Sequence, residues 1–242
     1  MIPSVNRFIG ALQGITDNAT PEEGGGALEI AESILANGGF VLAEVESIVS
    51  GLATEGDSPG APLWRAIPFG LLYFRELDKL QANTEKACRL THGDQTDIAS
   101  AIAMALTVAR LLRMQELSPI PFIREIAWFV KKIDHDAYTR ILGLMYPLRN
   151  ELPFLCSNFT KPLEIFRAAI FLFLSCQSGD LETEAERHGL QESPALPLAY
   201  TLMGSFGRLC KIEKPSLRVV LIAEAFQNFA EGVKIELPQQ DL

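Results

Sequence analysis

The chain has 242 residues, 48% hydrophobic and 21% charged, with 21 Lys and Arg against 30 Asp and Glu for a formal charge of −9. This balance is too apolar for a disordered chain, and the absence of any sustained basic run excludes nucleic acid as a partner. A chain of this length buries about 70 to 75% of its unfolded surface, so one domain over 1–242 around a large core is expected.

Apolar residues recur at helical spacing almost throughout, and alternating strand patterns are nearly absent, which predicts an all-α fold. The spacing predicts helices over 4–14, 26–36, 41–53, 64–80, 84–90, 95–115, 120–132, 136–149, 161–177, 180–188, 195–208 and 215–230. Asn37-Gly38-Gly39 supplies positive-φ residues to end a helix. Asp94 can cap the next long one, with Asp97 in its first turn. Pro119, Pro121, Pro162 and Pro215 fall where helices begin, and Gly24-Gly25-Gly26 and Gly56-Asp57-Ser58-Pro59-Gly60 read as loops.

The N-terminus, Met1-Ile2-Pro3-Ser4-Val5-Asn6-Arg7, lacks a charged region followed by an apolar stretch, so a cytoplasmic location is expected, and the sequons at Asn18 and Asn158 are without consequence. The most apolar run, Ala168 to Leu174, is too short to span a bilayer and reads as a core helix, so no membrane association is expected. Cys88, Cys156, Cys176 and Cys210 lie far apart and read as buried, reduced thiols. The helix over 95–115 places Ile98, Ile102, Ala105, Ala109 and Leu112 on one face, and its alanines let neighbours approach closely, as a central helix requires.

Two stretches are distinctive. Leu90-Thr91-His92-Gly93-Asp94 opens this alanine-rich helix, and Arg65-Ala66-Ile67-Pro68-Phe69-Gly70-Leu71-Leu72-Tyr73 lies about two dozen residues upstream. Together they resemble the corresponding corner and Arg-x-x-Pro-x-Gly-Leu-Leu-Tyr run of the ADP-ribosylglycohydrolase family. The resemblance extends from Phe8-Ile9-Gly10-Ala11-Leu12-Gln13-Gly14, similar to the family's opening helix, to Gly207.

It implies a multi-helix domain in which two acidic clusters hold a pair of divalent cations. By its distance from Ala31-Glu32-Ser33, the first cluster, Asp-Asp-Thr in active members, falls on Glu22, Glu23 and Gly24. Glutamate is one methylene longer than aspartate and glycine has no hydroxyl, so the charge is kept and the geometry is not. An acidic turn at a helix start is the alternative reading.

For the second cluster two placements compete. Local similarity selects Ser178-Gly179-Asp180-Leu181-Glu182-Thr183, with ligands Asp180, Glu182 and Thr183. The distance to Leu202-Met203-Gly204-Ser205-Phe206-Gly207, similar to the family's closing helix, instead selects Gln191-Glu192-Ser193-Pro194, which removes the ligands and needs no insertion. The ungapped placement is preferred.

The family's Asn-Gly-x-x-Met-Arg stretch, which helps shape a ribose pocket, corresponds to Gly60-Ala61-Pro62-Leu63-Trp64-Arg65. Trp64, Arg65, His92 and Asp94 are therefore the candidate ligand-binding residues. Each also has a plain structural role open to it: Trp64 as a core anchor, Arg65 paired with a carboxylate, His92 holding the turn, and Asp94 capping. His135 and His188 lack partners at ligand spacing and read as surface residues near helix starts.

An acidic surface repels a polyanion, so a nucleotide site would need a local metal, Arg or helix N-termini. No catalytic residue is assigned. The reading is a degenerate family member, a pseudoenzyme comparable to the family's lens-crystallin branch, that binds an ADP-ribose-like ligand or a protein partner and needs no cofactor. Its rivals are a magnesium-dependent hydrolase that removes ADP-ribose from a protein or small molecule, using Glu22, Glu23, Asp180, Glu182 and Thr183, and a helical scaffold without a pocket.

Overall fold

A computed structural model describes residues 2–18, 26–52, 58–154, 158–176, 180–208 and 215–233. Among these residues every regular element is a helix. In chain order they are α1 (Val5–Asn18), α2 (Ala27–Ala36), α3 (Leu42–Leu52), α4 (Ala61–Leu72), α5 (Leu77–Cys88), α6 (Gln95–Leu111), α7 (Pro119–Val130), α8 (His135–Leu142), α9 (Met145–Asn150), α10 (Pro162–Ser175), α11 (Leu181–His188), α12 (Ala195–Phe206) and α13 (Leu217–Glu231). The all-α expectation holds.

α6 is the axis of the fold. Every residue from Ile98 to Ala109 is buried, because Ala, Ser and Thr present so little bulk that neighbours close on all sides. Gly70 of α4 lies against this helix, and a Cβ there would fall 2.5 Å from the Ala105 carbonyl oxygen, so only glycine permits the crossing. Both ends of α6 are satisfied by side chains. Asp94 accepts from the Thr96 backbone N–H at 2.8 Å. At the other end Arg7 Nη1 donates to the carbonyls of Leu111 (2.9 Å), Leu112 (2.9 Å) and Met114 (2.7 Å), which a helix C-terminus otherwise leaves without partners.

The other close crossing joins the two ends of the chain. α1 packs along α12, where a Cβ on Gly10 would fall 2.7 Å from Gly204 Cα and one on Gly14 would meet Thr201. The pairing of Gly10 with Gly204 and of Gly14 with Thr201 makes the two helices antiparallel.

Three expected helices have different limits. The pattern over 64–80 and 84–90 breaks between Tyr73 and Glu76 instead of near residue 80. Tyr73 and Phe74 are both buried, and the Tyr73 hydroxyl accepts from the Phe40 backbone N–H at 3.0 Å, so the chain turns there to seat two rings. The helix over 136–149 divides at Gly143 and Leu144, with Leu144 fully buried. Asn37-Gly38-Gly39 does end α2: Gly38 has φ 65°, and the Gly39 N–H bonds back to the Ile34 carbonyl at 2.8 Å.

Ala168 to Leu174 are buried within α10, as a core helix. Among the described residues no helix is long and apolar enough to cross a membrane. Cys88 and Cys176 are buried free thiols, while Cys156 and Cys210 lie outside the described residues.

Candidate functional site

The two distinctive stretches meet at the corner before α6. Arg65, only 5% exposed, donates from Nη1 to Thr91 Oγ1 at 3.1 Å, and that hydroxyl shares a 2.8 Å hydrogen bond with His92 Nδ1. The corner is tied onward to α8. Thr96 Oγ1 donates to Asp134 Oδ2 at 3.2 Å, and Asp134 Oδ1 accepts from the Ala137 N–H at 2.6 Å, capping α8. His92 thus holds the turn through a neighbouring hydroxyl.

This corner also sets the electrostatics. Burial, and then the charge of Asp94, raise the Asp97 carboxyl above its ordinary range, with His92 and Lys161 opposing. Burial, and then Asp97, push the Cys88 thiol up to about 12. A thiol held protonated this firmly is not a nucleophile at neutral pH. Trp64 is 1% exposed, a core side chain, and so takes the anchor role that was open to it beside ligand binding.

A separate groove of about 430 Å³ opens where three helices start. Its floor and rim come from residues 58–60 before α4, Phe159 before α10 and residues 191–194 before α12, with Ile165, Leu196 and Pro197 from first turns. Gly60, the first residue of the stretch corresponding to a ribose pocket, and residues 191–194, the ungapped position of the second acidic cluster, therefore line one cavity. Neither Trp64, Arg65, His92 nor Asp94 lines it.

Asp180, Glu182 and Thr183 are engaged elsewhere. Asp180 caps α11, accepting from the Thr183 N–H at 3.2 Å and from Thr183 Oγ1 at 2.7 Å. Glu182 accepts from the Tyr200 hydroxyl; burial and that bond both raise the Tyr200 phenol above its ordinary value. Glu32, beside the expected first cluster, holds Arg218 through two bonds of 2.8 Å. Glu22, Glu23 and Gly24 lie outside the described residues.

The donor sets can be weighed against a pair of divalent cations, whose mutual repulsion several carboxylates must offset. Among the described residues the groove offers Glu192 alone, and the Asp180 set is engaged in a cap and with a phenol. Among the described residues no three His, Cys, Asp or Glu side chains are grouped to hold a metal. The described donors do not fit a dinuclear centre.

His188 departs from its expected place on the surface. It lies in the last turn of α11, its side chain 4% exposed, with its ring edge-on to Phe171 at 4.9 Å. Nδ1 accepts from the Phe154 N–H at 3.4 Å and Nε2 bonds Glu184 at 2.8 Å, so it is a core histidine with the proton on Nε2. Helical spacing from Glu184 to His188 could have revealed the pair. His135 is exposed at the start of α8, as expected.

A search of curated proteins finds no match to this chain. A family model described as ADP-ribosylglycohydrolase matches residues 7–191, well over half of the sequence and inclusive of both distinctive stretches. With the helical fold and the joined corner, this establishes that the chain belongs to the ADP-ribosylglycohydrolase family.

Proposed function

We propose that the protein works by binding a small molecule in the groove before α4, α10 and α12, and that it does not carry out dinuclear metal hydrolysis. The observation that carries this reading is the convergence of residues 58–60 and 191–194 on one cavity of about 430 Å³ with a single carboxylate among the described residues. Small-molecule sites occupy about 300 to 1,000 Å³, and the groove's volume falls in that range, with Ser58, Gln191 and Glu192 supplying polar groups beside Phe159, Ile165 and Leu196. Asp180, Glu182 and Thr183 support the same reading, since freeing them for metal would uncap α11 and leave Tyr200 without its acceptor.

Calorimetric titration with Mn²⁺, with release of ADP-ribose from an ADP-ribosylated protein followed in parallel, tests this. The expected result is no stoichiometric Mn²⁺ binding and no release. Two tightly bound Mn²⁺ per chain with metal-dependent release would replace this reading by the hydrolase, with Glu22, Glu23, Asp180, Glu182 and Thr183 as its ligands.

A further inference from the structure

We infer that α7 and α8 carry a docking surface for an acidic segment of a partner protein, centred on Trp128. The chain has two tryptophans. Trp64 is 1% exposed, whereas Trp128, near the end of α7, is 54% exposed and is the bulkiest apolar side chain among the exposed described residues. A lone exposed ring needs no explanation, but this one is held in place. It stands edge-on to Tyr138 of α8 with the ring centroids 5.6 Å apart. Lys131 Nζ lies over both rings, 4.0 Å from the Trp128 centroid and 5.0 Å from that of Tyr138. His135 extends the surface, its ring 5.5 Å from Tyr138. The α7–α8 junction thus presents a preformed aromatic and cationic surface, which a partner engages without having to order it.

Charge decides the kind of partner. Arg124, Trp128, Lys131 and Lys132 follow one another at helical spacing, so cations flank the ring on one face. The carboxylates of the same stretch are engaged within the chain. Glu125 pairs with Arg110 at 2.6 Å, Asp136 pairs with Arg140 at 3.5 Å, and Asp134 caps α8 and accepts from Thr96. Arg124, Lys131 and Lys132 form no ion pair among the described residues. The carbonyl end of α7 offsets roughly half a unit of their charge. On a chain of net charge −9 this leaves a local positive field, complementary to carboxylates.

The segment that fits has carboxylates on both sides of an apolar residue. Its apolar side chain packs against Trp128 and Tyr138, and its carboxylates pair with Arg124 on one side and with Lys131 and Lys132 on the other. A membrane surface fits less well. Three cations fall short of the roughly four to eight that draw a segment to anionic lipid, and Lys131 covers the ring that would insert.

The test is a titration of the full chain with two end-blocked peptides, Glu-Glu-Phe-Glu-Glu and Lys-Lys-Phe-Lys-Lys. Binding is read from the anisotropy of a dye on the peptide, and contact with Trp128 from acrylamide quenching, since Trp64 is shielded. The acidic peptide should bind at low ionic strength, protect Trp128 from quenching and weaken about tenfold or more in about 0.5 M salt, while the basic peptide does not bind. Trp128→Ala, and Lys131→Glu combined with Lys132→Glu, should each lower its affinity about tenfold or more with the helical circular dichroism intact. Lys79→Glu, on the exposed face of α5, should leave the affinity unchanged. No binding of the acidic peptide, equal binding of the two peptides, or an equal loss with Lys79→Glu overturns the proposal. A membrane surface replaces it if vesicles containing phosphatidylserine, and not the peptide, shift the Trp128 emission to the blue. A second copy of this chain replaces it if the peptide does not bind and sedimentation shows a dimer that Trp128→Ala separates.

Discussion

Arg65 Nη1 lies 3.1 Å from Thr91 Oγ1, and this bond joins α4 to the corner from which α6 starts. Twenty-six positions separate the two residues, yet they lie in the two stretches by which the family is recognised. The bond gives both stretches a structural reason to exist, independent of any ligand. Thr91→Val removes one acceptor of a guanidinium that is 5% exposed. A loss of about 1 to 2 kcal/mol in urea denaturation is expected, whereas Thr91→Ser should be near neutral.

The α1–α12 crossing sets a second expectation. Gly204→Ala drives a methyl group into the backbone of Gly10, where neither helix can yield by a rotamer change. The cost should be about 1 to 3 kcal/mol, read as a lowered thermal midpoint. Gly93→Ala, with open space around its Cβ position, is the control and should change little.

Arg7 bridges three carbonyls at the end of α6. Arg7→Met keeps much of the side chain's packing and loses these bonds, so stability should fall by about 1.5 to 3 kcal/mol in the same assay. Hydrogen exchange should accelerate in the last turn of α6, while amides at its Asp94 end keep their protection.

Asp97 provides a pH test. Its folded-state carboxyl is raised, so the stability it contributes is complete below the ordinary value of 3.8 and is lost as pH rises through the folded value. Asp97→Asn should therefore raise the thermal midpoint near neutral pH and make no difference at about pH 3. An equal effect at both values would show that charge is not the cause.

Cys88 gives the corresponding expectation at high pH. With its thiol pushed up to about 12 from an ordinary 9.0, its contribution is complete below 9.0 and is lost as pH rises toward about 12, because unfolding then releases a proton that the fold retains. Peptide mapping after alkylation at about pH 8 should find Cys88 unmodified in the folded protein and modified in urea. Cys88→Ala should flatten the decline in stability between about pH 9 and 11.

The helical class, the burial of α6, the cap at Asp94 and the family were legible along the chain, because each rests on local periodicity or on residues adjacent in it. The break at Tyr73 escaped it, since that turn exists to seat two rings against distant neighbours such as Phe40, and the helical pattern runs through it unaltered. His188 escaped for the same reason: its burial depends on Phe154 and Phe171, which no spacing within α11 reveals.

The candidate site was divided in the same way. Motif spacing identified Arg65, His92 and Asp94, but only packing showed that Arg65 and His92 meet at Thr91 and that Trp64 faces the core. Along the chain, local similarity favoured one placement of the second acidic cluster, and the distance to the closing helix favoured the other, preferred one. What the chain does not reveal is where each set lies: Asp180 caps α11 and Glu182 accepts from Tyr200, while the starts of α4, α10 and α12 enclose residues 191–194 in a groove.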